Sequence, residues 1–188
     1  LTIDSLTGDN LIEGKIYTVE QENIYQKYDL EKGKITYDLY SEWNGRVNNL
    51  TDYNEERLSW DLSLTDSIPL DLSISLGVGE SNLDLSELEV TDLDLSIGVG
   101  QTTVELPVGE YKANIDGGVG QSIITLPDEG QIQVHVDGGV GEIVIYIPEN
   151  ASIKIEVDRG IAGLSIPSGY TQNNDTYTSA NYDSKVTQ

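Results

Sequence analysis

The sequence predicts an all-β fold. It is a single-stack β-solenoid of about five to six coils of 20–21 residues, with parallel strands and a non-repeat amino-terminal cap. Three observations carry this reading. First, Gly77-Val78-Gly79-Glu80 returns as Gly98-Val99-Gly100-Gln101, Gly118-Val119-Gly120-Gln121 and Gly139-Val140-Gly141-Glu142, then in worn form as Gly160-Ile161-Ala162-Gly163. The first glycines stand 21, 20, 21 and 21 residues apart. Second, apolar residues flank every copy at alternate positions. Third, Pro107, Pro127 and Pro148 recur at one phase of three successive copies. A coil of about twenty residues cannot close a core by itself, whereas stacked copies can.

Each coil reads as strand, glycine corner, strand, second corner. The first strand brings Leu72, Leu93, Ala113, Val134 and Ile155 five residues before the glycine, and Ile74, Leu95, Ile115, Val136 and Val157 three before. The second strand brings Leu83, Val104, Ile124, Ile145 and Ile166 six residues after it, then Leu85, Leu106, Leu126 and Ile147 eight after. Polar residues fill most gaps, and this period of two belongs to half-buried strands rather than helices. The prolines mark the second corner, because a residue without an amide hydrogen belongs where a strand ends. The doubled glycine has two physical readings: a backbone with positive φ, or a corner where a Cβ strikes the neighbouring coil. Leu62 and Leu64 fall 21 residues before Leu83 and Leu85, where a further copy has its second strand. The regular region is therefore expected over 58–167.

The glycine corner, the short apolar strands beside it and the period near 21 resemble the toast-rack class of bacterial envelope domains. That β-solenoid group includes proteins named as adhesins and domains of cell-wall-stress response proteins. The resemblance covers the regular region. It implies an extracytoplasmic, surface or envelope-anchored location and a binding or sensing role, and it carries over no catalytic or ligand residue.

The flanks differ. Residues 1–57 lack the repeat, and four of the ten basic residues lie between Lys15 and Lys34. Lys15 to Val19 and Lys34 to Tyr40 alternate as strands, with Glu31-Lys32-Gly33 as a turn, while 20–30 fits either a strand or a short helix. This segment is expected to cap or flank the stack, whose open end exposes unpaired backbone. Residues 168–188 form a polar tail with a last strand near Tyr177 to Tyr182.

Composition narrows the partners. Ten Lys plus Arg against 33 Asp plus Glu give a formal charge of −23, which repels nucleic-acid phosphates and anionic lipid. Leu58 to Tyr111 contains eleven acids and no basic residue, read as a solvated face that discourages aggregation, with a surface for a basic ligand or loosely held cations as the alternative. There is no cysteine, hence no disulfide, thiolate metal site or thiol nucleophile. No run of eighteen apolar residues exists, so no direct insertion of this region in a membrane is expected. The start at Leu1 rather than Met is consistent with removal of a signal or anchor, or with a sequence trimmed at that point.

Chemistry finds little purchase. His135 is the sole histidine, on an outward row with Ser73, Asp94, Asn114 and Glu156. No nucleophile stands at a recognisable spacing, and neither a P-loop nor a Gly-x-Ser-x-Gly elbow occurs. Carbohydrate-cleaving β-helices remain a remote alternative, since carboxylate pairs are too abundant here to be diagnostic. Asp116, Asp137 and Asp158 share one phase, but Ser122 and Ile143 occupy the position where a calcium-binding nonapeptide needs Asp. Asp-Gly turn chemistry explains that column better. No catalytic residue, metal or cofactor is therefore expected, and the chain is read as not an enzyme.

The outward row of the second strand breaks the polar rule. Early copies carry Asn82, Asp84, Thr103 and Glu105 there, and later copies carry Ile123, Thr125, Val144 and Tyr146. Ile123, Val144 and Tyr146 are the candidate binding residues, for a protein or glycan of the cell surface. The alternative is that flanking segments of the chain cover them. Two roles fit: a binding or adhesion module, or an envelope-stress sensing or regulatory interaction domain.

Overall fold

The computed structural model describes residues 1–44, 58–148, 152–158, 169–180 and 182. Their elements are all strands: β1 (Thr2–Leu6), β2 (Ile12–Tyr17), β3 (Glu22–Glu31), β4 (Lys34–Trp43), β5 (Ser59–Thr65), β6 (Leu70–Ser75), β7 (Val78–Asp84) and β8 (Val90–Ser96). They continue as β9 (Val99–Glu105), β10 (Glu110–Asp116), β11 (Val119–Thr125), β12 (Gln131–Asp137), β13 (Val140–Tyr146), β14 (Ser152–Asp158), β15 (Thr171–Asn173) and β16 (Thr176–Thr178). The chain forms two compact units, Leu1–Gly14 with Asp61–Gln188, and Lys15–Trp60.

The first unit is the β-solenoid. Its two seven-stranded sheets run β13-β11-β9-β7-β1-β5-β2 and β15-β16-β14-β12-β10-β8-β6. Four complete two-strand coils stack in parallel, and β14 opens another. The worn motif at 160–163 lies outside the described residues. Equivalent residues align rung on rung, so Leu72, Leu93, Ala113, Val134 and Ile155 form one column and Leu83, Val104, Ile124 and Ile145 another. Leu83, Leu93, Val104, Ala113, Ile124 and Val134 have no exposed surface. Burying each large aliphatic side chain stabilises the stack by about 1.5–3 kcal/mol.

Both readings of the doubled glycine hold, each for a different member. The second glycine has positive φ in all four copies, between 134° and 141° at Gly79, Gly100, Gly120 and Gly141. The first glycine does not, yet a Cβ on Gly98 or Gly118 would stand 1.8 Å from the carbonyl oxygen of Gly77 or Gly98 below it. That oxygen accepts the amide of the next valine: Val99 donates to Gly77 and Val119 to Gly98, both at 2.9 Å. The corner is a backbone-on-backbone contact with no room for a side chain. Gly77 and Gly79 open the series, and a Cβ on either would meet nothing within 4 Å.

At the amino-terminal end β1 is a rung of the stack. It lies between β5 and β7, with Ile3 paired to both Leu62 and Leu83. The direct Leu62–Leu83 stacking expected from the 21-residue offset is therefore interrupted by one strand. Ile3 is buried, and it supplies the apolar side chain that this extra rung needs. At the other end the chain reverses. β16 runs antiparallel to β14 and seats Tyr177 opposite Ile155, with only 4% of Tyr177 exposed. Ser179 closes the junction, its amide donating to the Ile153 carbonyl and its hydroxyl accepting the Ile153 amide, both at 2.9 Å. The antiparallel pair β15–β16 covers the edge of β14 and ends parallel growth of that sheet.

Tyr111 anchors a second corner. It is buried, and its hydroxyl donates to the Pro107 carbonyl at 3.0 Å. Burial pushes its pKa above the ordinary tyrosine value. The folded state thus holds this proton more tightly than the unfolded chain does. The resulting stability is complete below pH ~10 and is lost as pH rises above it, at up to ~1.4 kcal/mol per pH unit. Tyr111→Phe should cost about 1 kcal/mol at neutral pH, from the unpaired carbonyl. Melting curves of the two proteins should converge between about pH 10 and 11.5. A constant gap across that range would refute the assignment.

The second unit contains the hairpin β3–β4, paired from Glu22↔Trp43 to Glu31↔Lys34. The stretch that admitted strand or helix is strand, and its turn is Lys32-Gly33. Both residues have positive φ, 50° and 85°, the geometry of a two-residue type I′ turn. Tyr25 stacks on Tyr40 on one face, with ring centroids 5.3 Å apart. On the other face the Tyr37 hydroxyl donates to Gln26 Oε1 at 2.8 Å.

Candidate functional site

The stacked register decides what the outer face of the first sheet displays. Because Ile124 and Ile145 point inward, their neighbours point outward. Ile123 pairs with Val144 on one side and Thr103 on the other, while Thr125 pairs with Tyr146 and Glu105. Nearer the amino terminus the same rows continue through Asn82 and Asp84. The face passes from acid and amide to aliphatic and aromatic over three rungs. Ile123 and Val144 are half-buried against each other, and Tyr146 is 58% exposed. The structure thus brings Ile123 and Val144 together as direct neighbours, with Tyr146 two residues along the last strand.

A polar rail borders this patch. Gln101 Nε2 donates to Gln121 Oε1 at 3.1 Å, and Gln121 Nε2 to Glu142 Oε2 at 2.7 Å. Beyond the rail stands a feature that the sequence reading missed. Val78, Val99, Val119 and Val140 align in register and are 88%, 48%, 50% and 59% exposed. They form an aliphatic ridge along the glycine corner. The available signal was the same exposed-type position filled by valine in four copies, between glycines that leave it no inward side. On the last two complete coils among the described residues, Val119 and Val140 lie on one side of the rail and Ile123 and Val144 on the other.

The other candidate groups stand apart. His135 lies on the second sheet, in register with Asn114 and Glu156. Its row is laced by local pairs: Asn114 Nδ2 donates to Asp94 Oδ1 at 2.8 Å, and Lys154 forms an ion pair with Glu156. Asp116, Asp137 and Asp158 align in successive coils at the strand end. Among the described residues, no three His, Cys, Asp or Glu side chains converge in a geometry that would hold a metal ion. No described helix is long and apolar enough to cross a membrane.

Residues 1–125 match the family described as "N-terminal domain of toast_rack, DUF2154". The chain belongs to the toast-rack family. The matched span takes in the hairpin unit and the coils through β11, so Ile123 lies inside it and Val144 and Tyr146 lie beyond it. No curated protein matches this toast-rack chain. Among solved structures, a protein of Clostridium sporogenes described as a "putative cell adhesion protein" is similar, with a TM-score of 0.64 and 24% identity. The alignment covers 77% of this chain and 86% of that one, and the likeness is one of fold.

Proposed function

We propose that this toast-rack chain is a non-catalytic binding module of the bacterial envelope that works outside the cytoplasm. Its contact surface is the outer face of the last two complete coils among the described residues, and its partner is a protein or glycan of the cell surface. The observation that carries this is the change of one structural row from Asn82 and Thr103 to Ile123 and Val144, ending beside an exposed Tyr146. Solvation alone calls for polar residues throughout that row. An aromatic side chain on a rigid aliphatic base, rimmed by amides, is the composition of a contact anchor. The family and the description of the Clostridium protein support a binding role.

The test is co-sedimentation with purified envelopes of the producing bacterium, with bound protein measured against concentration. Tyr146→Ala and Val144→Asp should each weaken binding by about tenfold or more while leaving the melting temperature within a few degrees. Equal binding by both variants would remove this face from the reading.

A further inference from the structure

The hairpin carries an edge that its own sheet leaves open. Among the described residues β3 pairs only with β4. The two-residue turn makes Glu31 and Lys34 a hydrogen-bonded pair, so the odd-numbered residues of β3 direct their amides and carbonyls to β4. The backbone groups of Ile24, Gln26, Tyr28 and Leu30 therefore face the opposite way, along the open edge. This edge is accessible, with Tyr28 77% and Leu30 65% exposed.

We propose that this edge pairs, antiparallel about a two-fold axis, with the same edge of a second copy of the chain. Side-chain charge selects the register. Centring the pair on Lys27 sets that lysine opposite itself, and centring on Asp29 opposes two carboxylates at its centre, which offsets the two Lys27–Glu31 pairs it would form. Centring on Gln26 places Lys27 opposite Tyr25 and forms no ion pair. Centring on Tyr28 alone among these sets Lys27 opposite Asp29 of the second copy, twice by symmetry, with Gln26 opposite Leu30. The backbone agrees, because Tyr28 offers both its amide and its carbonyl outward. A charged residue on an edge strand guards against promiscuous pairing; here Asp29 lifts that guard for one self-complementary partner. The result is a four-stranded sheet with Tyr28, Leu30, Ile35 and Tyr37 of both copies on one face.

The overlap from Tyr25 to Glu31 spans about 24 Å. This is less than the ~800 Å² per partner of a standard interface, so the dimer is weak, with a dissociation constant on the order of 10–100 µM.

Sedimentation velocity from about 1 to 500 µM brackets that range and should show a concentration-dependent dimer. Asp29→Lys sets Lys against Lys twice, while its partner inside the hairpin is the neutral Thr36. It should weaken association by about tenfold or more. The chain has no cysteine, so single-cysteine variants report cleanly. Tyr28→Cys should cross-link under mild oxidation, since opposed Cα atoms ~5.5 Å apart suit a disulfide. Leu39→Cys on β4 should not. A native chain that stays monomeric throughout overturns the proposal, as does a dimer indifferent to Asp29→Lys or one that cross-links at position 39 rather than 28.

Discussion

Gly118→Ala should cost more than about 4 kcal/mol, enough to unfold most of the population of a domain whose total stability is about 5–15 kcal/mol. The new Cβ would stand 1.8 Å from the Gly98 carbonyl oxygen and 2.3 Å from that of Ile97. The Gly98 oxygen is held in place, because it already accepts the Val119 amide. Gly77→Ala is the matched control: its Cβ meets nothing and its φ is not positive. It should be neutral, or stabilising by ~0.4–1 kcal/mol through the unfolded chain. Gly79→Ala isolates backbone strain, since φ is 141° but space is open, and should cost about 1–3 kcal/mol. Gly120→Ala combines positive φ with a carbonyl 2.0 Å away and should resemble Gly118→Ala. Chemical denaturation of the four variants separates stacking from strain. Similar losses at Gly77 and Gly118 would contradict the stacking argument.

Tyr177→Ala should destabilise the solenoid by about 3–5 kcal/mol. Tyr177 is 4% exposed and sits on Ile155, the last residue of a continuous aliphatic column. Truncation leaves a cavity at the end of the stack and loosens the strand that covers the edge of β14. Loss of an end cap should also show as self-association, because a parallel β edge accepts further strands. Tyr177→Phe keeps the ring and should cost much less. Denaturation midpoints measured with light scattering check both effects, and a Tyr177→Ala variant as stable as the parent would mean that the hairpin β15–β16 does not cap the stack.

The repeat made the solenoid's interior legible. A period of 21 combined with a period of two assigns each residue of a coil to core, corner or outer row, and the register follows that assignment through four coils. Elements outside the period were harder to place. Thr2–Leu6 carries no motif and pairs with residues about 60 and 80 positions away, and no local pattern encodes such a pairing. Residues 20–30 left strand and helix open because a two-stranded ribbon exposes much of both faces, which blurs the alternation that burial would impose. Its turn was readable, since Lys32-Gly33 supplies the flexible position a tight hairpin needs. Within the candidate surface, Ile123, Val144 and Tyr146 were visible as departures from a polar row. The valine ridge was hidden by its regularity, because a residue present in every copy reads as part of the structural motif.

The proposed binding belongs to the apolar end of the outer row. The direct measurement compares envelope binding by Val144→Asp with that by Thr103→Asp. Both substitutions place a carboxylate in the same row of the same sheet, two rungs apart. Binding should fall about tenfold or more for Val144→Asp and remain at the parent level for Thr103→Asp. Equal losses in the two variants, or none in either, would contradict the assignment.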